Sequence, residues 1–262
     1  MTRTVRLMVG LDRDREPARE GENTFAGWPT VDGLGMFCEL DITCRGLPDP
    51  VTGYLVNIAE IDAAVRTHAL PLLERGVMTA PGRSPAMLLP DLLNAVQRGL
   101  RPTVAGLRWR LSPYHSIAMD AADNAHYLLR ETFEFAAAHR LHCADLSDEE
   151  NRRIFGKCNN PSGHGHNYRI EVAVKAPLPS GGMPAPFGVR HLERLVHEQI
   201  LRRFDHRNLS IDTPEFASIN SSVENIARVC HDLLREPIAQ AGGELRHVTV
   251  WETEKTCCTY PG

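Results

Sequence analysis

No apolar run in this 262-residue chain approaches the ~20 residues that a membrane-spanning helix needs, so no membrane partner is expected. No sign of charge dominates either: a net charge of −4 provides none of the basic footprint of a nucleic-acid-binding protein. Paired C-x-x-C spacing, the mark of a four-ligand structural zinc, is absent. The seven cysteines are an odd number without regular spacing in a long chain, which fits reduced thiols in a cytoplasm. The polar start MTRTVRLMVGLDRDREP does not read as a signal peptide. What is present, 42% hydrophobic and 24% charged residues, is the composition of a soluble globular protein of one large or two ordinary domains.

The densest chemistry lies in GKCNNPSGHGHNY, Gly156 to Tyr168. His164 and His166 are two apart, and alternate residues of a strand share a face, so both imidazoles can serve one metal. Gly165 between them is expected to allow close backbone approach. Upstream, FEFAAAHRLH (Phe133 to His142) reads as a short apolar strand ending in His139, a third imidazole. Three protein ligands with one open position is the catalytic zinc arrangement. Cys158, six residues before His164, has a depressed pKa if a dication is bound nearby and then serves as base or nucleophile.

Five segments now fall in one order: FEFAAAHRL, GKCNNPSGHGHNY, FDHRNLS (Phe204 to Ser210), SSVENIA (Ser221 to Ala227) and VTVWETE (Val248 to Glu254). Together they resemble the 6-pyruvoyltetrahydropterin synthase family, whose relatives include 6-carboxytetrahydropterin synthase. The resemblance runs from about Glu131 to the end of the chain.

The first half repeats the second in worn form. TVRLMVGLD (Thr4 to Asp12) aligns with TFEFAAAHR, and DGLGMFCELDITCRG (Asp32 to Gly46) with SGHGHNYRIEVAVKA (Ser162 to Ala176). Each half continues with two amphipathic helical runs, a last strand and a further pairing strand. In this alignment Leu11, Leu34 and Met36 replace the three histidines, PLLERGV replaces FDHRNLS, and Leu111 stands near the place of Glu252. The expected fold is α+β: two tandem tunnelling-fold (T-fold) modules, each an antiparallel sheet with two helices on one face. The expected domains are 1–118, non-catalytic, and 127–262, catalytic, with HSIAMDAADNAH (His115 to His126) as linker. His231 and the histidines outside the motifs are expected at the surface, and the acidic run Asp145 to Glu150 in a solvated loop capping a helical turn.

The resemblance implies the site. His139, His164 and His166 hold Zn²⁺; Cys158 is the base, with Asp205 and His206 as its proton relay; Glu252 anchors the pterin ring, with Glu224 and Ser222 as further substrate contacts. The substrate implied is 7,8-dihydroneopterin triphosphate, a small-molecule partner that brings Mg²⁺ with its phosphates. Lys157, Arg140 and Arg207 are the cations nearest in sequence for those phosphates. The five residues between Cys158 and His164 match the 6-pyruvoyl type, the 6-carboxy type having a shorter spacing. The family pattern G-M-V-x-D before the first helix is missing from GGMPAPFGVRHL, which departs from the family there. Family members assemble as trimers stacked into hexamers with shared sites, so a homo-oligomer, a trimer of two-module chains, is implied.

Overall fold

Alternation sets the first strand: β1 (Thr2–Val9) buries Val5, Leu7 and Val9 and turns Thr4 and Arg6 to the other face. The structure, a computed structural model, describes residues 1–10, 33–179 and 186–261. Leu11 and much of the GGMPAPFG segment lie outside the described residues. The chain divides into two compact units, Met1–Leu129 with Pro177–Ala185, and Arg130–Ala176 with Pro186–Gly262.

In the first unit β1 pairs antiparallel with β2 (Met36–Arg45), β2 with β3 (Thr103–Ser112), and β3 with β4 (His115–Asp120). Between β2 and β3 come α1 (Ile58–Ala64), a π-type turn over Val65–Ala69, α2 (Leu70–Thr79) and α3 (Leu89–Arg98). Their buried Ile61, Leu70, Leu73, Leu89, Leu92 and Val96 recur at helical spacing and form one core with Leu7, Leu40, Ile42 and Leu107 of the strands. The opposite sheet face is ionic. The Arg110 guanidinium donates to Glu39 at 2.7 Å and Asp41 at 2.8 Å, and Arg6 donates to Glu39 at 3.0 Å.

The stretch from His115 to His126 is not a linker. Ile117 and Met119 alternate with half-buried neighbours, so its first six residues form β4 on β3, and only the turn after Asp120 is irregular. Alanine and polar residues masked a strand with one solvated face.

The second unit holds most of β5 (His126–His139), then α4 (Asp148–Phe155) and β6 (His164–Pro177). Next come α5 (Val189–Val196), a π-type turn over His197–Leu201, α6 (Arg202–Phe204), β7 (Arg207–Asn208) and α7 (Leu209–Asp212). It ends with α8 (Val223–Gln240), β8 (Glu244–Thr253) and β9 (Thr256–Pro261). The strand order is β5-β6-β8-β9, with β7 parallel to β5 at Ala137 and Ala138. Phe135 stacks on Tyr168 at 5.1 Å and meets Phe204 at 6.2 Å, seating the α6 end of the helix on the sheet beneath the histidine-bearing strand ends. Ser147 and Glu150 cap α4 reciprocally, which gives the acidic run its helical turn.

The strands of each unit carry a β-bulge. The register shifts between Thr43 and Cys44 on β2 opposite β3, and between Ala173 and Val174 on β6 opposite β8. The extra residues are Ala105 and Arg246, so Val104 and Leu107, and likewise Leu245 and Val248, are buried three residues apart.

His231 corrects the expectation of a surface residue: it is 3% exposed, its ring edge-on to Tyr260 at 5.1 Å. The apolar stripe of α8 is wide enough to take it in because β9 lies against that helix.

Burial also marks thiols. It pushes Cys38 up to about 11 from 9.0. The sign follows: above pH 9 the unfolded chain loses a thiol proton that the folded chain keeps, so stability falls as pH rises from 9 towards 11. Iodoacetamide at about pH 8.5 should label exposed Cys257 and reach Cys38 about 10²-fold more slowly or less. Equal labelling of the two in folded protein would contradict this packing.

Candidate metal centre and active site

His139 ends β5, and His164 and His166 open β6, so the three rings converge where two neighbouring strands begin and end. Parity puts them on one face: Tyr168, Ile170 and Val172 continue the row of His164 and His166 into the core. The ligand atoms of the three imidazoles lie within 4.8 Å of one another. The Nε2 atoms of His139 and His164 are 3.2 Å apart.

Second contacts fix one tautomer. His139 is fully buried, and its Nδ1 stands 2.8 Å from the Ser221 carbonyl oxygen, which can only accept. Nδ1 therefore carries the proton and Nε2 presents a lone pair to the centre. Tyr168 Oη lies 3.3 Å from the same Nδ1. His164 Nδ1 and His166 Nε2 are buried without hydrogen-bond partners among the described residues. Burial lowers the pKa of His139 and of His166, holding both as the neutral imidazoles that a metal requires.

These observations fit a cation. Two nitrogens bound to zinc at about 2.0–2.1 Å in tetrahedral geometry stand about 3.3 Å apart, close to the observed 3.2 Å. The buried His166 Nε2, without a hydrogen-bond partner among the described residues, is otherwise costly.

Glu252, near the end of β8, turns its carboxylate to the same place. Its Oε1 is 3.4 Å from His139 Nε2 and 3.6 Å from His166 Nε2. Cys158 sits in the turn Gly156–Asn159, fastened to the β5 end by the Leu141 N–H donating to the Cys158 carbonyl at 2.9 Å. Its thiol is raised, first by burial and then by the Glu252 carboxylate, opposite to the depression expected beside a dication. Without a positive charge at the triad, nothing in this environment favours the thiolate.

Close backbone approach falls at Gly163, not Gly165. A Cβ on Gly163 would stand 2.9 Å from the His139 carbonyl oxygen, and its φ is +70°, whereas a Cβ on Gly165 would make an ordinary 3.7 Å contact. The glycine that lets the strands meet precedes the first histidine.

Asp205 and His206 follow α6 and pair with each other, Asp205 Oδ2 lying 2.9 Å from His206 Nδ1. Asp205 Oδ1 accepts the Ala136 N–H at 2.9 Å, and that bond, with the neighbouring imidazole, holds the carboxyl below its ordinary value. His206 has φ of 57° and donates its N–H to the Ala136 carbonyl at 2.6 Å, a left-handed backbone uncommon for such a residue. Its exposed ring lines a recess of about 510 Å³ with Ala136, Ala138, Gly165 and Asn167. The dyad makes no hydrogen bond with Cys158 or the triad.

Ser222 caps α8, its Oγ accepting the Asn225 N–H at 3.5 Å, and Glu224 stands exposed in the first turn. Arg140 is held by Asn159 Oδ1 at 3.1 Å, while Lys157 and Arg207 are exposed. Sequence reasoning missed Ser221 and Tyr168. Tyr168 had a signal, two residues beyond His166 on the same strand face, but a backbone carbonyl from the α8 entry had none.

The sequence pattern of 6-pyruvoyl tetrahydropterin synthase matches residues 128–262. The Homo sapiens 6-pyruvoyl tetrahydrobiopterin synthase is 42% identical over 129 residues, 49% of this chain and 86% of that protein. Its Drosophila melanogaster namesake is 40% identical over 134 residues, 51% of this chain and 77% of that protein. The solved Caenorhabditis elegans 6-pyruvoyl tetrahydropterin synthase is 37% identical with a TM-score of 0.48, covering 52% of this chain and 96% of that one. With three imidazoles and a cysteine turn set on this scaffold, the chain belongs to the 6-pyruvoyl tetrahydropterin synthase family, a family of lyases of α+β tunnelling fold.

Proposed function

We propose that this chain converts 7,8-dihydroneopterin triphosphate to 6-pyruvoyltetrahydropterin with loss of triphosphate. The observation that carries the proposal is the convergence of three imidazoles beside a cysteine turn in a chain 42% identical over 129 residues to a 6-pyruvoyl tetrahydrobiopterin synthase. Zinc at the triad would supply Lewis acidity to the substrate's side-chain hydroxyls and so acidify the neighbouring C–H bonds. Cys158 takes those carbon-bound protons and returns them, with Asp205 and His206 carrying protons onward. The ring gains the hydrogens that the side chain loses, so no outside reductant is needed. Glu252 and Glu224 accept from the amino and ring N–H groups of the pterin. Mg²⁺ accompanies the triphosphate, and the setting is cytoplasmic.

The first unit, in this reading, is a non-catalytic copy that completes the assembly, a trimer of two-module chains. Support comes from the matching bulges and π-type turns, and from Leu34, Met36 and Leu111 at the positions corresponding to ligands and Glu252. A leucine is no zinc ligand and methionine a poor one.

The test is product identification by mass after incubating the zinc-loaded chain with 7,8-dihydroneopterin triphosphate. A three-carbon pyruvoyl product with free triphosphate is expected. A carboxyl product with acetaldehyde would move the chain to 6-carboxytetrahydropterin chemistry, and bound zinc with no turnover would make it a pterin-binding scaffold.

A further inference from the structure

We propose that Ser210 is a positioning residue for the metal centre, its hydroxyl holding in register the backbone around His139 and the residue that orients its ring. The inference rests on the metal reading above. The segment after Asp205 runs alongside β5: His206 donates its N–H to the Ala136 carbonyl, and Arg207 and Asn208 pair in parallel with Ala137 and Ala138. After Asn208 the chain turns into α7, so main-chain pairing stops one residue short of His139. The Ser210 side chain carries it past that point. Its Oγ accepts the Arg140 N–H at 3.0 Å and donates to the Arg140 carbonyl at 3.1 Å, taking both backbone groups of the residue after His139.

The same oxygen has one more partner, Ser221 Oγ at 3.0 Å. A hydroxyl has one proton and two lone pairs, and the Ser210 proton goes to the Arg140 carbonyl, so Ser221 is the donor in that pair. Ser221 is buried, and its carbonyl, 2.8 Å from His139 Nδ1, is the acceptor that fixes the tautomer. One hydroxyl thus grips the backbone that follows His139 and the residue whose carbonyl orients its ring. Removing it leaves three groups without that partner and touches no ligand atom. Ser210 lies in the short helix α7, where alanine is a better helix former than serine, so the helix itself does not call for the hydroxyl. Groups behind a metal-bound imidazole set how well it holds the ion, and here the hydroxyl is what keeps those groups in place.

The zinc affinity of the full chain, measured by competition with a chelator, tests this beside urea melts of the metal-free proteins. Ser210→Ala is expected to bind zinc about 10–100-fold more weakly than the wild type, and Ser210→Thr, which keeps the hydroxyl, within a few-fold of it. The visible ligand-field bands of bound Co²⁺ are expected to shift in Ser210→Ala and to return in Ser210→Thr. A merely structural serine would lower the urea midpoint and leave affinity and bands unchanged, which overturns the inference. Equal weakening in the alanine and threonine variants also overturns it, since shape rather than the hydroxyl would then be the cause. Should Ser210→Ala fold poorly, Ser221→Ala, which keeps the carbonyl and loses only the link to Ser210, is read in its place. Weaker zinc binding is expected there, and unchanged binding overturns the inference. Failure of the wild type to bind zinc overturns the metal reading as well.

Discussion

Replacing Cys158 by alanine is expected to slow formation of the pyruvoyl product about 10²–10⁴-fold, the range for losing a positioned general base, with one metal ion still bound per chain. The two readouts separate because the cysteine lies on a turn and contributes no ligand to the histidine cluster. The Leu141 hydrogen bond that fastens the turn uses the Cys158 backbone, so alanine keeps the loop in place. Steady-state turnover and metal content measured on one preparation decide it. Turnover within a few-fold of wild type would remove Cys158 from the mechanism, and loss of metal would reassign it to the metal site.

The second large effect separates two histidines that look equivalent in sequence. His139→Ala and His166→Ala should each reduce bound metal to near zero and abolish turnover, since two imidazoles cannot hold a catalytic ion. Their metal-free forms should differ. His139 is fully buried, with Ser221 and Tyr168 as partners, so its loss leaves a cavity and an unpaired carbonyl and costs about 2–4 kcal/mol. His166 has a partnerless Nε2 in that form, and removing it relieves a buried polar atom, leaving the fold as stable as wild type or more so. Urea melts of chelator-treated proteins read the contrast. Retention of one metal per chain in His166→Ala would show that the triad is not the site.

What the sequence disclosed and what it hid follow from range. The HGH spacing gave one face by parity alone, and FDHRN gave an Asp-His pair at a helix end, because both depend on neighbours in the chain. The five ordered motifs gave the family. His115–Asp120 hid as a strand because one face is solvated and a polar, alanine-rich turn follows it directly. His231 hid because burial was decided by β9, beyond the reach of α8's own pattern. Gly165 was credited with the close approach that Gly163 makes, since only the φ angle and the His139 carbonyl distinguish two glycines flanking one histidine. That the cysteine's pKa is raised was equally invisible, being set first by burial and then by Glu252 from ninety-odd residues away.

Arg246 touches none of the chemistry, yet it sets the phase of everything downstream of it on β8. Counting from buried Leu245 in strict twos would turn Trp251 towards the imidazoles and Glu252 away. One surplus residue, six positions before the carboxylate, inverts that parity. Straightening the bulge with every residue kept would therefore trade the acid for an indole. Deleting Arg246, by contrast, would leave Leu245, Val248, Val250 and Glu252 on one face in plain alternation, so the surplus residue and the parity of the acid are one feature.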